Sequence, residues 1–132
     1  MLTIEINVEV SCGELIDKLT ILSIKNEKIT NKEKLKNIQH EFKVLNEISK
    51  NLKSLNPNEF DNFYKKLRKI NLSLWDIEDE IRKFEKESNF GIEFIELARS
   101  VYITNDERFR IKNEINSFFS SGIVEEKDYE EY

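Results

Sequence analysis

The sequence is poor in the residues that make turns and covalent cross-links. It contains three glycines, one proline and one cysteine among 132 residues. Scarce glycine and proline disfavour a turn-rich all-β fold and favour long helices. The single cysteine, Cys12, excludes an intramolecular disulfide, so we expect a reducing compartment and place the protein in the cytoplasm.

The chain also lacks long apolar runs and a strong excess of basic charge. No apolar run approaches the roughly 20 residues that a membrane-spanning helix needs, and no signal-peptide pattern opens the chain, so no membrane association is expected. The formal net charge is −5. Basic residues are not interleaved with aromatic ones, which argues against nucleic acid as a partner.

Residues 2–10 alternate strictly between apolar and polar side chains in the order LTIEINVEV. A period of two predicts a half-buried β-strand. Because a lone strand leaves its backbone groups unpaired, it needs a second strand. Either the short apolar stretch 122–124 supplies that strand, or the same segment of a second copy does. A homodimer is therefore expected.

Capping signals and apolar residues spaced three and four apart predict the helices. Capping boxes begin at Ser11 and Thr30, and Asn56 precedes a proline at the first helical position. The predicted helices extend to about residues 29, 55, 87 and 119. The fold expected is mainly α, an antiparallel bundle of three to four long helices with one short N-terminal β-strand. A single helical domain would span residues 1–124, and an acidic tail, residues 125–132, is expected to fray.

Charged and polar side chains occupy helical faces that should be apolar. Asp17 falls between Ile21 and Ile24 on a helix that is apolar nearly all round, where a buried charge needs a partner. Beside the apolar stripe of the third helix lies a second, polar stripe, in which Glu78 and Arg82 have the i,i+4 spacing of an ion pair. The members of that stripe are Tyr64, Asn71, Trp75, Glu78 and Arg82.

The fourth helix repeats this pattern on its core side. Its polar residues on or near one face include Arg99, Tyr102, Asn105 and Asp106. Such groups either line a pocket between helices, a common place for ligands, or pair with one another in a closed structural network. The leading interpretation is a binding or interaction module that holds a small anionic ligand or a partner segment.

A small helical enzyme acting on a phosphorylated or carboxylated metabolite is the alternative. Helical pyrophosphohydrolases need Glu-x-x-Glu followed by Glu-x-x-Asp, and Glu93 with Glu96 supply only the first half. Glu78 and Asp106 are candidate ligands for Mg²⁺. A mutase-like site for a dianion would use cationic side chains. The candidates are Lys18, Lys25, Arg82, Arg99 and Arg108.

Four stretches carry a resemblance: GELIDKLTILSIK (13–25), LWDIEDEIR (74–82), FIELARSVYITND (94–106) and VEEK (124–127). Together they resemble an uncharacterised family of short bacterial and phage helical proteins, catalogued as a domain of unknown function. The resemblance implies no activity, substrate or cofactor. It rests on Asp17, Lys18, Lys25, Trp75, Asp76, Glu78, Arg82, Arg99, Tyr102, Asn105, Asp106 and Arg108. All of these except Asp76 are our candidate ligand-binding residues.

Overall fold

A computed structural model describes residues 2–132 and contains four α-helices. They are α1 (Cys12–Lys28), α2 (Lys32–Leu55), α3 (Pro57–Lys86) and α4 (Ile92–Phe118). The mainly α fold is confirmed, and each helix ends within one residue of its predicted end. α4 runs without a break through Thr104 and Glu107, although the sequence there resembles a helix cap. In the described part of the chain, no helix combines the length and apolar character that a membrane crossing demands.

Side-chain caps fix where the first three helices begin. The Ser11 hydroxyl accepts the Glu14 backbone N–H at 3.1 Å, and the Asn56 side chain accepts the Glu59 N–H at 3.2 Å. At α2 the predicted cap was one residue too early, because Asn31 rather than Thr30 is the N-cap. Asparagine is at least as good an N-cap as threonine, so the local sequence offers two competing starts.

The helices pack as a bundle in which α1 contacts each of the other three. Consecutive helices run antiparallel. Asn26 near the end of α1 accepts a hydrogen bond from Gln39 in the first half of α2 at 3.2 Å. Phe63 near the start of α3 meets Phe118 at the end of α4, with 5.7 Å between ring centroids. The core between the helices consists of Ile16, Leu19, Phe60, Phe63, Leu67 and Ile115.

The predicted N-terminal strand is not formed. Residues 2–10 belong to no helix or strand, and Leu2, Ile4, Ile6 and Val8 are 94, 84, 82 and 75 % exposed. Within residues 2–132 no backbone hydrogen bond joins this segment to residues 122–124. Alternation makes a strand only where a second strand supplies hydrogen bonds, and one protomer supplies none.

The first turn of α1 is bound directly to the last turn of α4. The Gly13 backbone N–H donates to Asn116 Oδ1 at 2.7 Å, and the Cys12 N–H donates to Ser121 Oγ at 3.1 Å. The helices approach so closely here that a Cβ at Gly13 would lie 2.5 Å from the backbone oxygen of Lys112. A glycine at this position is therefore required by the contact between α1 and α4.

We expect Gly13→Ala to destabilise the fold by about 2–3 kcal/mol, because the added methyl group overpacks a contact with backbone that cannot rotate away. Urea unfolding followed by circular dichroism measures the change. Gly122→Ala is the matched control, since nothing lies within 4 Å of its Cβ position. Equal stability of the two variants would contradict the role assigned to Gly13.

Candidate functional site

A groove of about 480 Å³ lies between α1, α3 and α4. Its apolar part comes from Ile21 and Ile24 on α1 and from Leu74 and Trp75 on α3. Trp75 is the only tryptophan in the chain and is partly exposed. An apolar wall with a few polar groups at its edge is the usual composition of a small-molecule site. We call this site the α1/α3/α4 groove.

The polar part of the α1/α3/α4 groove carries both signs of charge. Two amides, two carboxylates and two guanidiniums contribute to it: Asn71, Asn105, Glu78, Asp79, Arg82 and Arg108. Arg82 donates to the carboxylate of Glu78 one helical turn before it, which is the ion pair that the i,i+4 spacing predicted. The Arg82 side chain is 69 % exposed, so this pair is in contact with solvent.

Asp17 lies behind the α1/α3/α4 groove and is completely buried. Arg108 holds it through two nitrogens: Nε lies 3.0 Å from Oδ1 and 3.2 Å from Oδ2, and Nη2 also donates to Oδ2. Asn71 Nδ2 donates to Oδ1 at 2.7 Å. The hydrogen bonds with Asp17 raise the pKa of Arg108. Asp17 thus has the partner that its position on an apolar helix requires, and its charge is balanced within the fold.

Lys112 extends this arrangement into an ionic network toward the C terminus. Its Nζ lies 2.6 Å from Glu14, 2.7 Å from Glu125 and 3.9 Å from Asp17. Burial lowers the pKa of Lys112, but the hydrogen bonds to Glu125 and Glu14 outweigh this and leave the pKa above its ordinary value. Because the pKa of Lys112 is higher in the folded state, its ammonium contributes its full stabilisation at pH values below the unfolded-state pKa. That contribution is lost as the pH rises through the folded-state pKa. Alkaline solution should therefore weaken this contact.

Tyr102 and Asp106 lie outside the α1/α3/α4 groove, against the C-terminal segment. The Tyr132 hydroxyl donates to Asp106, and the Tyr102 and Tyr132 rings meet edge to face with centroids 5.4 Å apart. The Lys127 ammonium lies 5.0 Å from the centroid of the Phe109 ring. Residues 125–132 contain no helix or strand and lie along α4; that this tail frays stays a prediction. Aromatic and charged side chains of the tail itself provide these contacts.

The remaining predicted residues are not brought into the α1/α3/α4 groove. Lys18 is exposed and pairs with Glu14 on its own helix at 3.7 Å. Lys25 is partly exposed and Arg99 is exposed, and neither lines the groove. The groove therefore unites Trp75, Glu78, Arg82, Asn105 and Arg108, with Asp17 behind them.

The two carboxylates considered for Mg²⁺ lie in different places. Glu78 faces Arg82 and Asp106 faces Tyr132. Across residues 2–132, no group of three or more histidine, cysteine, aspartate or glutamate residues is placed to hold a metal ion. The geometry gives these two residues no common site.

Sequence reasoning missed Lys112 and underused Asn71. Lys112 lies one helical turn after Arg108, so the i,i+4 spacing places both cations on one face of α4. Asn71 was recognised in the polar stripe of α3 but not as a partner of Asp17. Asp79 was also missed, and no spacing signal separates it from the exposed acids around it.

Comparison with known proteins gives a family. A family model described as "Family of unknown function (DUF6165)" matches residues 6–132. The chain belongs to this family. The match includes all four helices, the α1/α3/α4 groove and the C-terminal segment, and it confirms the resemblance to a family of unknown function. No curated protein and no solved structure matches the chain.

We expect Asp17→Asn to destabilise this DUF6165 protein by about 3–5 kcal/mol, because the change leaves Arg108 without its buried partner. Asp76→Asn is the matched control: Asp76 is exposed, and its change should stay within about 0.5 kcal/mol. Thermal and urea unfolding measure both. A loss below about 1 kcal/mol for Asp17→Asn, the value typical of a solvated pair, would contradict the buried arrangement.

Proposed function

We propose that the protein is a binding module whose α1/α3/α4 groove takes a small ligand with an anionic group. The observation that carries the proposal is the placement of Trp75 beside two guanidiniums, Arg82 and Arg108, in one groove of about 480 Å³. Guanidiniums bind carboxylate and phosphate groups through paired hydrogen bonds. A planar aromatic wall next to them suits the apolar or ring-shaped body of such a ligand.

Arg108 is suited to anchor the anion because the fold already holds it in position. Nε and Nη2 are used by Asp17, while Nη1 makes no hydrogen bond with any residue from 2 to 132. The side chain is 27 % exposed. A guanidinium that is fixed from behind loses little conformational entropy when a ligand binds in front.

Arg82 is suited to the opposite role, that of a cation that can change its partner. Exposed ion pairs of this kind contribute about 0–1 kcal/mol, so an incoming anion can replace Glu78 with little loss. The carboxylates of Glu78 and Asp79 reduce the attraction for highly charged anions, and they offer acceptors for hydroxyl or amino groups. The groove thus favours a ligand with one anionic group and several donors over a polyphosphate.

The same proposal includes the cytoplasm as the location of the protein. Cys12 is the only cysteine and is a free thiol, which suits a reducing compartment. Thiol modification by an impermeant reagent, before and after lysis of expressing cells, tests this location.

The fluorescence of Trp75 provides a direct binding assay, because no other tryptophan contributes. We expect a nucleoside monophosphate or a sugar phosphate to shift or quench this emission without Mg²⁺. Arg82→Gln should weaken that binding about 10- to 100-fold, the range of one charged hydrogen bond. Lys83→Gln is the control, since Lys83 is an exposed neighbour that pairs with Glu80 outside the groove.

Three outcomes of this assay distinguish a binding module from an enzyme and from a purely structural ionic network. Binding without metal that is lost in Arg82→Gln but not in Lys83→Gln supports the proposal. Binding that requires Mg²⁺ favours the enzyme alternative and contradicts a simple binding module. A panel that leaves the emission of Trp75 and the melting temperature unchanged contradicts a ligand site, and leaves the ionic groups a structural role only.

A further inference from the structure

The N-terminal segment, residues 2–10, exposes a row of large apolar side chains. Its five apolar residues occupy every second position, and the four from Leu2 to Val8 are at least 75 % exposed. The segment has no helix or strand, and none of its backbone groups takes part in a hydrogen bond within residues 2–132. Its backbone N–H and C=O groups are therefore available to another strand.

We propose that residues 2–10 pair antiparallel with the same segment of a second copy, which makes a two-stranded ribbon with its two-fold axis at Ile6. In this register Leu2 faces Val10, Ile4 faces Val8, and Ile6 faces its own copy. All apolar side chains of both strands then lie on one face of the ribbon.

The charges of the segment favour this register over its neighbours. With the axis at Ile6, Glu5 faces Asn7 and Glu9 faces Thr3, so no carboxylate faces another. Moving the axis to Glu5 or to Asn7 places glutamate directly opposite glutamate, which is destabilising in a strand pair. The axis at Ile6 is also the only one that pairs all nine residues.

The fold offers a surface that would cover the apolar face of the ribbon. Val8 and Val10 already line an apolar groove of about 580 Å³ together with residues near the end of α2. The α2 residues are Ile48, Leu52 and Leu55, and Ile48 and Leu55 are 56 and 71 % exposed. Since a two-stranded ribbon alone is marginally stable in water, this apolar surface of α2 supplies the packing that the ribbon needs.

The register provides a test through Asn7, which is exposed in one protomer. Asn7→Glu places a carboxylate opposite Glu5 twice in each dimer, and Asn7→Lys places an ammonium there twice. We expect the first to weaken dimerisation about two- to thirty-fold and the second to strengthen it by a similar factor. Analytical ultracentrifugation measures the dimer dissociation constant. Asn62→Glu, at an exposed position on α3, is the control and should change nothing.

A cross-linking experiment tests the axis independently. In a Cys12→Ala background, Ile6→Cys brings two thiols face to face, at a Cα separation that a disulfide spans. Ile4→Cys places its thiol opposite Val8 instead. Oxidation should give a covalent dimer for Ile6→Cys and little for Ile4→Cys.

Several results would overturn the proposal. A wild-type protein that remains monomeric at its highest soluble concentration excludes the pairing. A dimer that is indifferent to both substitutions at Asn7 forms through another surface. Equal cross-linking of the two cysteine variants shows that the segments meet without a register.

Discussion

The charge of Asp17 is the constraint on which the arrangement of the helices depends. A carboxylate with no exposure to water is tolerated only if other groups replace its hydration. Arg108 from α4 and Asn71 from α3 do so, so one side chain of α1 fixes the positions of two other helices. Any shift of α4 along α1 would separate Arg108 from Asp17. The register between these helices is therefore set by electrostatics as well as by packing.

Gly13 and Lys112 also fix the position of α4 relative to α1, one helical turn away from Asp17. The backbone of Lys112 touches Gly13, and its side chain reaches Glu14, Asp17 and Glu125. The close approach of the backbones and the ionic contacts thus depend on each other, because a wider helix separation would pull the ammonium away from its carboxylates. Glu125 brings the start of the C-terminal segment into this arrangement, which explains why the tail follows α4.

The sequence predicted local features well and long-range partners poorly, for a physical reason. Helix bounds depend on caps and on a period of 3.6, and both are local, so the four helices were found almost to the residue. That Asp17 needs a partner also follows from one helix alone. Which cation pairs with Asp17 depends on which helix face packs against α1, and the periodicity of α4 alone does not tell which of its faces that is. Arg108 was predicted only as a cation for an anionic ligand, not as the partner of Asp17, and Lys112 was not identified at all.

The same limit explains why residues that share a predicted face of α4 lie in different places in the structure. Asp106 and Asn105 are adjacent in α4, so their side chains point about 100° apart. Asn105 faces the α1/α3/α4 groove, and Asp106 faces the C-terminal segment. The alternation of residues 2–10 did not predict correctly within one protomer, because a strand forms only when a second strand pairs with it. The sequence of this segment does not show that one protomer lacks such a second strand.

The ion pairs Asp17–Arg108 and Glu78–Arg82 have the same chemistry but differ in burial, and this difference decides whether the arginine can leave its carboxylate. Asp17 is completely buried, while the Arg108 side chain keeps 27 % of its surface exposed. Breaking this pair would leave the Asp17 carboxylate without solvation, so Arg108 stays bound to it. Glu78 and Arg82 are in contact with solvent, so water can replace either partner at little free-energy change. The first pair can hold a guanidinium still, and the second can release one. The proposed anion site depends on this difference: in that proposal the fixed guanidinium of Arg108 sets the position of the anion, and the exchangeable guanidinium of Arg82 sets the affinity.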